Sequence, residues 1–220
     1  VLRDGRVEVD GALPADVPRD RGILAALDVV LARYRAPRLP DLPPLQSGVV
    51  GYLGYDVVRE IERLPDVPPD DRGLPDAVMS VIGSLVAFDH WRQRAYLIES
   101  VPVLDLDGPG LDAAYEDAAR RVEAMSVDLA RPLSYAAVAP PDPSEPLPAV
   151  RSTMPGGLYQ QAVEVAKEHI RAGDAFQIVV SQRFDRPTSA SALDVYRMLR
   201  VNNPSPYMYL IRFPAPGAGD

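Results

Sequence analysis

A proline-rich stretch near the middle of the chain constrains the fold more than any other feature. Residues 131–157 read RPLSYAAVAPPDPSEPLPAVRSTMPGG and hold seven prolines and two adjacent glycines. Proline has a fixed φ and no backbone N–H, so this stretch can form neither a helix nor a central strand. We therefore predict a linker over residues 132–157 that separates a first unit, residues 1–131, from a second, residues 158–220.

Hydrophobic periodicity predicts helices and strands on both sides of the linker. Apolar residues at helical spacing predict helices over residues 23–34 and 111–129, with a short helical pattern over residues 57–64. Runs of β-branched and aromatic residues predict a strand over 48–55 and a hairpin formed by 78–88 and 94–100. After the linker we predict a helix over 159–170 that Gly173 ends, a strand over 175–184, and a helix over 191–202 with Ser191 as its N-cap. Hairpins and helices without regular βαβ alternation favour the α+β class.

Composition excludes several classes of function. The 31 acidic residues outnumber the 23 basic ones and give a net charge of −8, which repels nucleic acid. Without cysteine, the chain has no disulfide, thiolate nucleophile or cysteine-bound zinc. His90 and His169 lie far apart and are expected to be structural. The acidic charge favours a small-molecule or protein partner over nucleic acid, and the lack of cysteine leads us to expect a cytoplasmic protein. Since the chain has no long apolar segment or apolar leader, we expect no membrane partner.

Two motifs are candidates for a binding site, although each also has a purely structural interpretation. Glycines 48, 51 and 54 in SGVVGYLGYD can approach a phosphate, but their spacing differs from the dinucleotide fingerprint and close strand packing explains them better. In AFQIVVSQRF, the side chains of Gln177, Ser181 and Arg183 can hold a polar ligand. They can equally form the polar face of an antiparallel strand.

A third candidate, VNNPSPYMYL, occupies residues 201–210 and follows the last predicted helix. Pro204 and Pro206 each fix φ and lack a donor, so the segment stays extended and leaves carbonyl oxygens free to accept from an ammonium group. Met208 offers a polarizable sulfur that packs well on an aromatic ring. Helix termination followed by a buried strand explains the same pattern, because the residue before a proline avoids the α region.

Four segments together resemble component I of anthranilate synthase. In the family's order they are GYLGYDVVREIERLP (51–65), LVAFDH (85–90), YQQAVEVAKEHIRAGDAFQIVVSQRF (159–184) and LRVNNPSPYMYL (199–210). One such motif would be weak evidence, whereas four in order cover most of the chain from about Gly48 onward. The resemblance implies an α/β sandwich of mostly antiparallel sheets with packed helices. Residues 1–131 would be an N-terminal regulatory domain, incomplete at its start, and residues 158–220 the beginning of a truncated chorismate-binding domain.

The resemblance also implies a reaction. Such an enzyme, a lyase of tryptophan biosynthesis, converts chorismate and ammonia to anthranilate and pyruvate with Mg²⁺ and is feedback-inhibited by L-tryptophan. A glutamine amidotransferase subunit, component II, supplies the ammonia, so a hetero-oligomer is expected. The chain begins with valine and ends in FPAPGAGD. We expect a fragment that is inactive alone, with no metal ligand of its own, because in the family the Mg²⁺ ligands and most catalytic residues follow the matched segments.

Position by position, the resemblance implies that Asn203, Pro206, Tyr207 and Met208 bind the effector, L-tryptophan; residues 203–208 are called the effector segment below. Gln177 is the one catalytic position that the resemblance implies, while Ser181 and Arg183 are expected to be structural. Related isochorismate-forming enzymes place a lysine at the position of Gln177, where it can activate water, whereas an amide takes no proton near neutral pH. The alternatives are aminodeoxychorismate synthase component I and a non-catalytic tryptophan-binding module.

Overall fold

The computed structural model describes residues 1–103, 106–133, 142, 144, 146 and 149–213. These residues form two compact units. The first takes in the described residues of Val1–Ser134 together with those of Ile211–Asp220, and the second those of Tyr135–Leu210. Much of the predicted linker lies outside the described residues, so the predicted domain boundaries stay a prediction.

The first unit is built on a four-stranded antiparallel sheet with the strand order β2-β1-β4-β3. Its strands are β1 (Leu2–Arg3), β2 (Arg6–Val7), β3 (Gly48–Leu53) and β4 (Ala77–Ile82). Helix α1 (Gly22–Arg33) packs on this sheet through apolar residues spaced three and four apart, as the sequence predicts. The shared core consists of Leu2, Val7, Val17, Ile23, Ala26, Val30, Val57 and Ala77.

A hairpin and a long helix complete the first unit. Strands β5 (Ser84–Asp89) and β6 (Arg94–Glu99) pair in register from Ser84↔Glu99 to Asp89↔Arg94. Helix α2 (Gly108–Leu129) begins where the side chain of Asp107 accepts a 3.0 Å hydrogen bond from the backbone of Gly110. Arg121 of α2 donates to Glu99 of β6 at 2.7 Å, and this ion pair joins the helix to the hairpin.

The described residues of the second unit include two helices and a short strand pair. Helix α3 (Leu158–Ala172) ends at Gly173, which has a left-handed φ of 84°, as predicted. Helix α4 (Ala192–Asn202) begins at Ser191, whose side chain accepts from the backbone of Asp194 at 3.1 Å, again as predicted. Strands β7 (Arg151–Ser152) and β8 (Phe184–Asp185) pair antiparallel. Mixed helices and antiparallel sheets confirm the predicted α+β class.

Three predicted elements differ in the structure. The run 78–88 is two strands in separate sheets, because the chain changes sheets at Gly83, whose carbonyl accepts from Ser100 at 2.8 Å. The pattern at 57–64 gives a short 3-10 helix, Tyr55–Glu60. Of the predicted strand 175–184, only Phe184 lies in a strand, β8, which continues to Asp185 and pairs with the two residues of β7.

Candidate functional site

The effector segment begins where α4 ends. The backbone of Asn203 donates to the carbonyl of Leu199 at 2.9 Å and then leaves the helical region, with φ −142° and ψ 69°. The predicted helix stop before Pro204 is therefore confirmed. The buried strand expected after it is not found within the described residues, and Tyr209 is 81% exposed.

The exposed groups of the effector segment define what it can bind. Tyr207 is 91% exposed, and Met208 beside it is half-buried. Pro204 and Pro206 contribute carbonyl oxygens but no backbone N–H, so the segment has an excess of acceptors over donors. Acceptors next to an aromatic ring and a thioether suit a ligand that carries both an ammonium group and an aromatic surface.

Gln177 lies in an extended stretch whose start is fixed by the end of α3. The backbone of Asp174 donates to the carbonyl of His169 at 3.0 Å, which closes the helix in the Schellman manner. The same two residues also contact through their side chains, with His169 Nδ1 2.8 Å from Asp174 Oδ2. Gln177 itself is exposed.

The far end of this stretch is fixed on β7. Gln182 Nε2 donates to Ser152 Oγ at 2.8 Å, and the backbone of Thr153 donates to the carbonyl of Arg183 at 3.0 Å. Arg183 Nε lies 3.2 Å from Asp185 Oδ1, in an ion pair within the strand end. Gln177 and the effector segment both belong to the second unit. Across the described part of the chain, no hydrogen bond or ion pair given by the structure joins them.

The glycine motif serves strand packing. Gly51 lies opposite Met79 in the β3–β4 ladder. A Cβ at this position would overlap the carbonyl oxygen of Val78 and lie 2.8 Å from the Cα of Met79. A Cβ at Gly54 would lie 2.9 Å from the carbonyl oxygen of Asp76. Glycine is thus required here by close backbone approach, which favours the structural interpretation of the motif.

Glu60 is a residue whose role sequence reasoning missed. Its carboxylate accepts from the backbone N–H groups of Ile23 at 2.8 Å and Leu24 at 3.0 Å, at the start of α1. Gly22 has a φ of +81°, and a Cβ there would overlap this carboxylate. One signal was available: α1 has no capping side chain and no acidic residue in its first turn, so the acceptor for its first N–H groups has to come from elsewhere.

Asp76 lies near several other carboxylates, two of which belong to the 3-10 helix Tyr55–Glu60. Burial raises the pKa of Asp76, and the charges of Asp56, Asp4, Asp70 and Glu60 raise it further. Within the described residues, no group of three or more acidic or histidine side chains is placed to hold a metal ion. None of the helices there is both long and apolar enough to cross a bilayer.

An apolar cavity of about 310 Å³ lies in the first unit, against the end of α1 and one end of the β3–β4 ladder. Its lining includes Tyr34, Val49, Ile82 and Val101. None of the predicted site residues lines it, since Gln177 and the effector segment belong to the second unit.

Comparison with known proteins identifies the family. The sequence profile described as chorismate binding enzyme matches residues 13–217. Anthranilate synthase component 1 of Mycolicibacterium smegmatis is 38% identical over 218 residues, covering 99% of this chain and 41% of that protein. The protein of the same name from Mycobacterium tuberculosis H37Rv is 40% identical over 216 residues, covering 97% of this chain and 41% of that protein.

A solved structure shares the fold. The crystal structure of anthranilate synthase component I from Streptococcus pneumoniae TIGR4 superposes with a TM-score of 0.64 at 27% identity, covering 84% of this chain and 40% of the other. The chain thus spans about two-fifths of the length of these relatives. Because the profile matches nearly the whole sequence, the chain belongs to the family of chorismate binding enzymes.

Proposed function

We propose that the protein as a whole is anthranilate synthase component I, a lyase that converts chorismate and ammonia to anthranilate and pyruvate. The observation that carries this proposal is the match of 97–99% of the chain to proteins of that name, at 38–40% identity. The fold shared with a solved protein of the same name supports it. The proposal concerns the whole protein, because this chain corresponds to about two-fifths of its relatives.

The proposed partner is a glutamine amidotransferase subunit, component II, that supplies ammonia in a cytoplasmic hetero-oligomer. The designation "component 1" of the relatives supports a second component. Mg²⁺ is the proposed cofactor of the whole protein. Its ligands are proposed to lie outside this chain, as the family resemblance implies. Because the chain corresponds to about two-fifths of its relatives, we also propose that the 220-residue chain alone does not turn over chorismate.

Gln177 is the proposed active-site residue of this chain. Its amide can donate and accept hydrogen bonds but takes no proton near neutral pH, so it cannot serve as the base that water needs. Neutral ammonia is a nucleophile without such a base. A glutamine at this position therefore suits an enzyme that adds ammonia rather than water.

L-Tryptophan is the proposed feedback inhibitor, with Asn203, Pro206, Tyr207 and Met208 as its contacts. The exposed ring of Tyr207 and the half-buried Met208 offer apolar surface for an indole. The proline carbonyls offer acceptors for the ammonium group.

The test is product analysis of the whole protein with chorismate, ammonium sulfate and Mg²⁺, and with EDTA as the control. We expect anthranilate, detected by its fluorescence, and an equal amount of pyruvate, detected by coupled oxidation of NADH. An amino product that keeps the enolpyruvyl group would instead identify aminodeoxychorismate synthase and overturn the proposal. Saturable binding of L-tryptophan without any turnover would identify a binding module.

A further inference from the structure

The chain returns from the second unit to the first directly after the effector segment. Leu210 is the last residue of the second unit, and residues 211–213 belong to the first. Met208 and Phe213 are five positions apart in the sequence. Only a few residues of sequence therefore separate a ligand on the effector segment from residues of the first unit.

Phe213 contacts the first unit through an aromatic pair. The ring centroids of Phe213 and Tyr52 are 6.2 Å apart, and the ring planes are inclined by 59°. Both side chains are half-buried. This distance and tilt lie within the range of favourable edge-to-face pairs.

Tyr52 is fixed both at its backbone and at its hydroxyl, so its ring is a rigid surface on which Phe213 packs. Its backbone lies in β3 opposite Val78 of β4, and its hydroxyl donates to the carbonyl of Pro75 at 2.9 Å. The next residue, Leu53, pairs with Ala77, which is fully buried in the core. The Tyr52 ring cannot shift without breaking the hydrogen bond to Pro75 or disturbing this ladder.

The two prolines limit how the effector segment can respond to a ligand. Pro204 and Pro206 each fix φ, which removes two of the backbone rotations that would otherwise absorb a displacement. A displacement caused by a ligand on Tyr207 and Met208 is therefore less readily absorbed by residues 203–206. The continuation of the chain toward residue 213 contains no proline.

We propose that Phe213 is a positioning residue for effector inhibition, and that its ring, seated on Tyr52, couples occupancy of the effector segment to the first unit. The inference rests on the proposed function in one respect, that L-tryptophan binds at this segment. A ligand shifts a conformational equilibrium only through contacts that differ between two states. In this proposal the Tyr52–Phe213 pair is such a contact, and Phe213→Ala removes it while leaving the ligand contacts of the effector segment in place.

The experiment uses the whole protein with chorismate, Mg²⁺ and ammonia, titrated with L-tryptophan. We expect Phe213→Ala to raise the half-inhibitory concentration about 3- to 10-fold, the range that follows from loss of one aromatic pair. The uninhibited kcat and KM for chorismate should not change. Phe213→Tyr, which keeps the ring, should restore inhibition. Phe88→Ala removes an exposed phenylalanine from β5 and should behave as wild type.

The outcomes separate this inference from the proposed function. Inhibition of Phe213→Ala at the wild-type tryptophan concentration overturns the coupling, and so does an equal loss of inhibition and kcat. If circular dichroism shows that Phe213→Ala is unfolded, Phe213→Leu decides in its place, because it keeps apolar volume but no ring. A wild-type enzyme that makes anthranilate but ignores L-tryptophan overturns the effector proposal instead.

Discussion

Removal of the Glu60 carboxylate is expected to destabilise α1 by about 1–2 kcal/mol. The helix has no cap of its own, because the Arg21 side chain makes no capping hydrogen bond and the first turn has no acidic residue. Glu60 supplies the missing acceptor from the 3-10 helix, at 2.8 Å from the backbone nitrogen of Ile23 and 3.0 Å from that of Leu24. The 3-10 helix thus stabilises the start of α1 from 37 positions away in sequence.

The magnitude follows from two effects. Loss of an N-cap acceptor costs about 0.5–2 kcal/mol, and loss of a negative charge at a helix N-terminus costs about 0.3–1 kcal/mol. The exposure of Glu60 favours the lower part of both ranges. Glu60→Gln keeps one acceptor oxygen and loses the charge, so we expect about half the cost of Glu60→Ala.

Gly22 provides an independent check on this geometry. In the wild-type chain, Gly22→Ala must adopt a φ of +81° and also overlap the Glu60 carboxylate. In the Glu60→Ala background only the backbone strain remains, about 1–2 kcal/mol. The two substitutions should therefore be less destabilising together than the sum of their separate effects.

The measurement is urea unfolding followed by far-UV circular dichroism, with hydrogen exchange to locate the loss in the amides of α1. Glu62→Ala is the matched control, since Glu62 is exposed and lies two positions from Glu60. A Glu60→Ala chain as stable as Glu62→Ala, or strict additivity with Gly22→Ala, would refute the role of Glu60 as a cap.

Three further predictions concern other parts of the molecule. Burial and nearby carboxylates raise the pKa of Asp76, so ionisation of this side chain opposes folding as the pH rises through that pKa. Asp76→Asn should therefore raise Tm at pH 7, and the gain should vanish below about pH 4. An unchanged Tm at pH 7 would contradict the direction of the pKa shift. In the whole protein, Gln177→Lys should lower ammonia-dependent anthranilate formation and raise the formation of isochorismate from water, both measured by chromatography. Val179→Lys places the same charge nearby and should produce neither change. Phe176 is 94% and Val179 81% exposed, so the 220-residue chain should self-associate. The double variant Phe176→Ser/Val179→Ser should scatter less light than the wild type. A monomeric wild type would contradict this prediction.

The helices could be predicted from the sequence because their signals are local. Apolar spacing identified α1, α2 and α3 to within a few residues, and the capping pattern at Ser191 with the proline that follows identified α4. Gly173 and Ser191 marked a helix end and a helix start because capping depends on residues within one turn. The cap of α1 could not be found in this way, since its acceptor comes from Glu60, 37 positions from Ile23.

The strands were less predictable because a strand depends on its partner. Residues 78–88 look like one strand in composition, yet Ala77–Ile82 pairs with β3 and Ser84–Asp89 with β6. Gly83 between them was the available signal, as a glycine within a strand pattern often marks a bend or change of pairing. Residues 175–183 have strong β propensity and, among the described residues, no strand to pair with.

The effector segment shows why a structural and a functional interpretation of one motif need not compete. The end of α4 leaves carbonyls in its last turn without intrahelical donors, and the backbone of Asn203 uses one of them, that of Leu199. Pro204 and Pro206 then add acceptors and no donors. The residues that stop the helix therefore create a surface rich in carbonyl oxygen, which favours the ammonium of an amino acid and disfavours its carboxylate. We accordingly expect the carboxylate of L-tryptophan to face away from this segment, with the indole ring against Tyr207 and Met208.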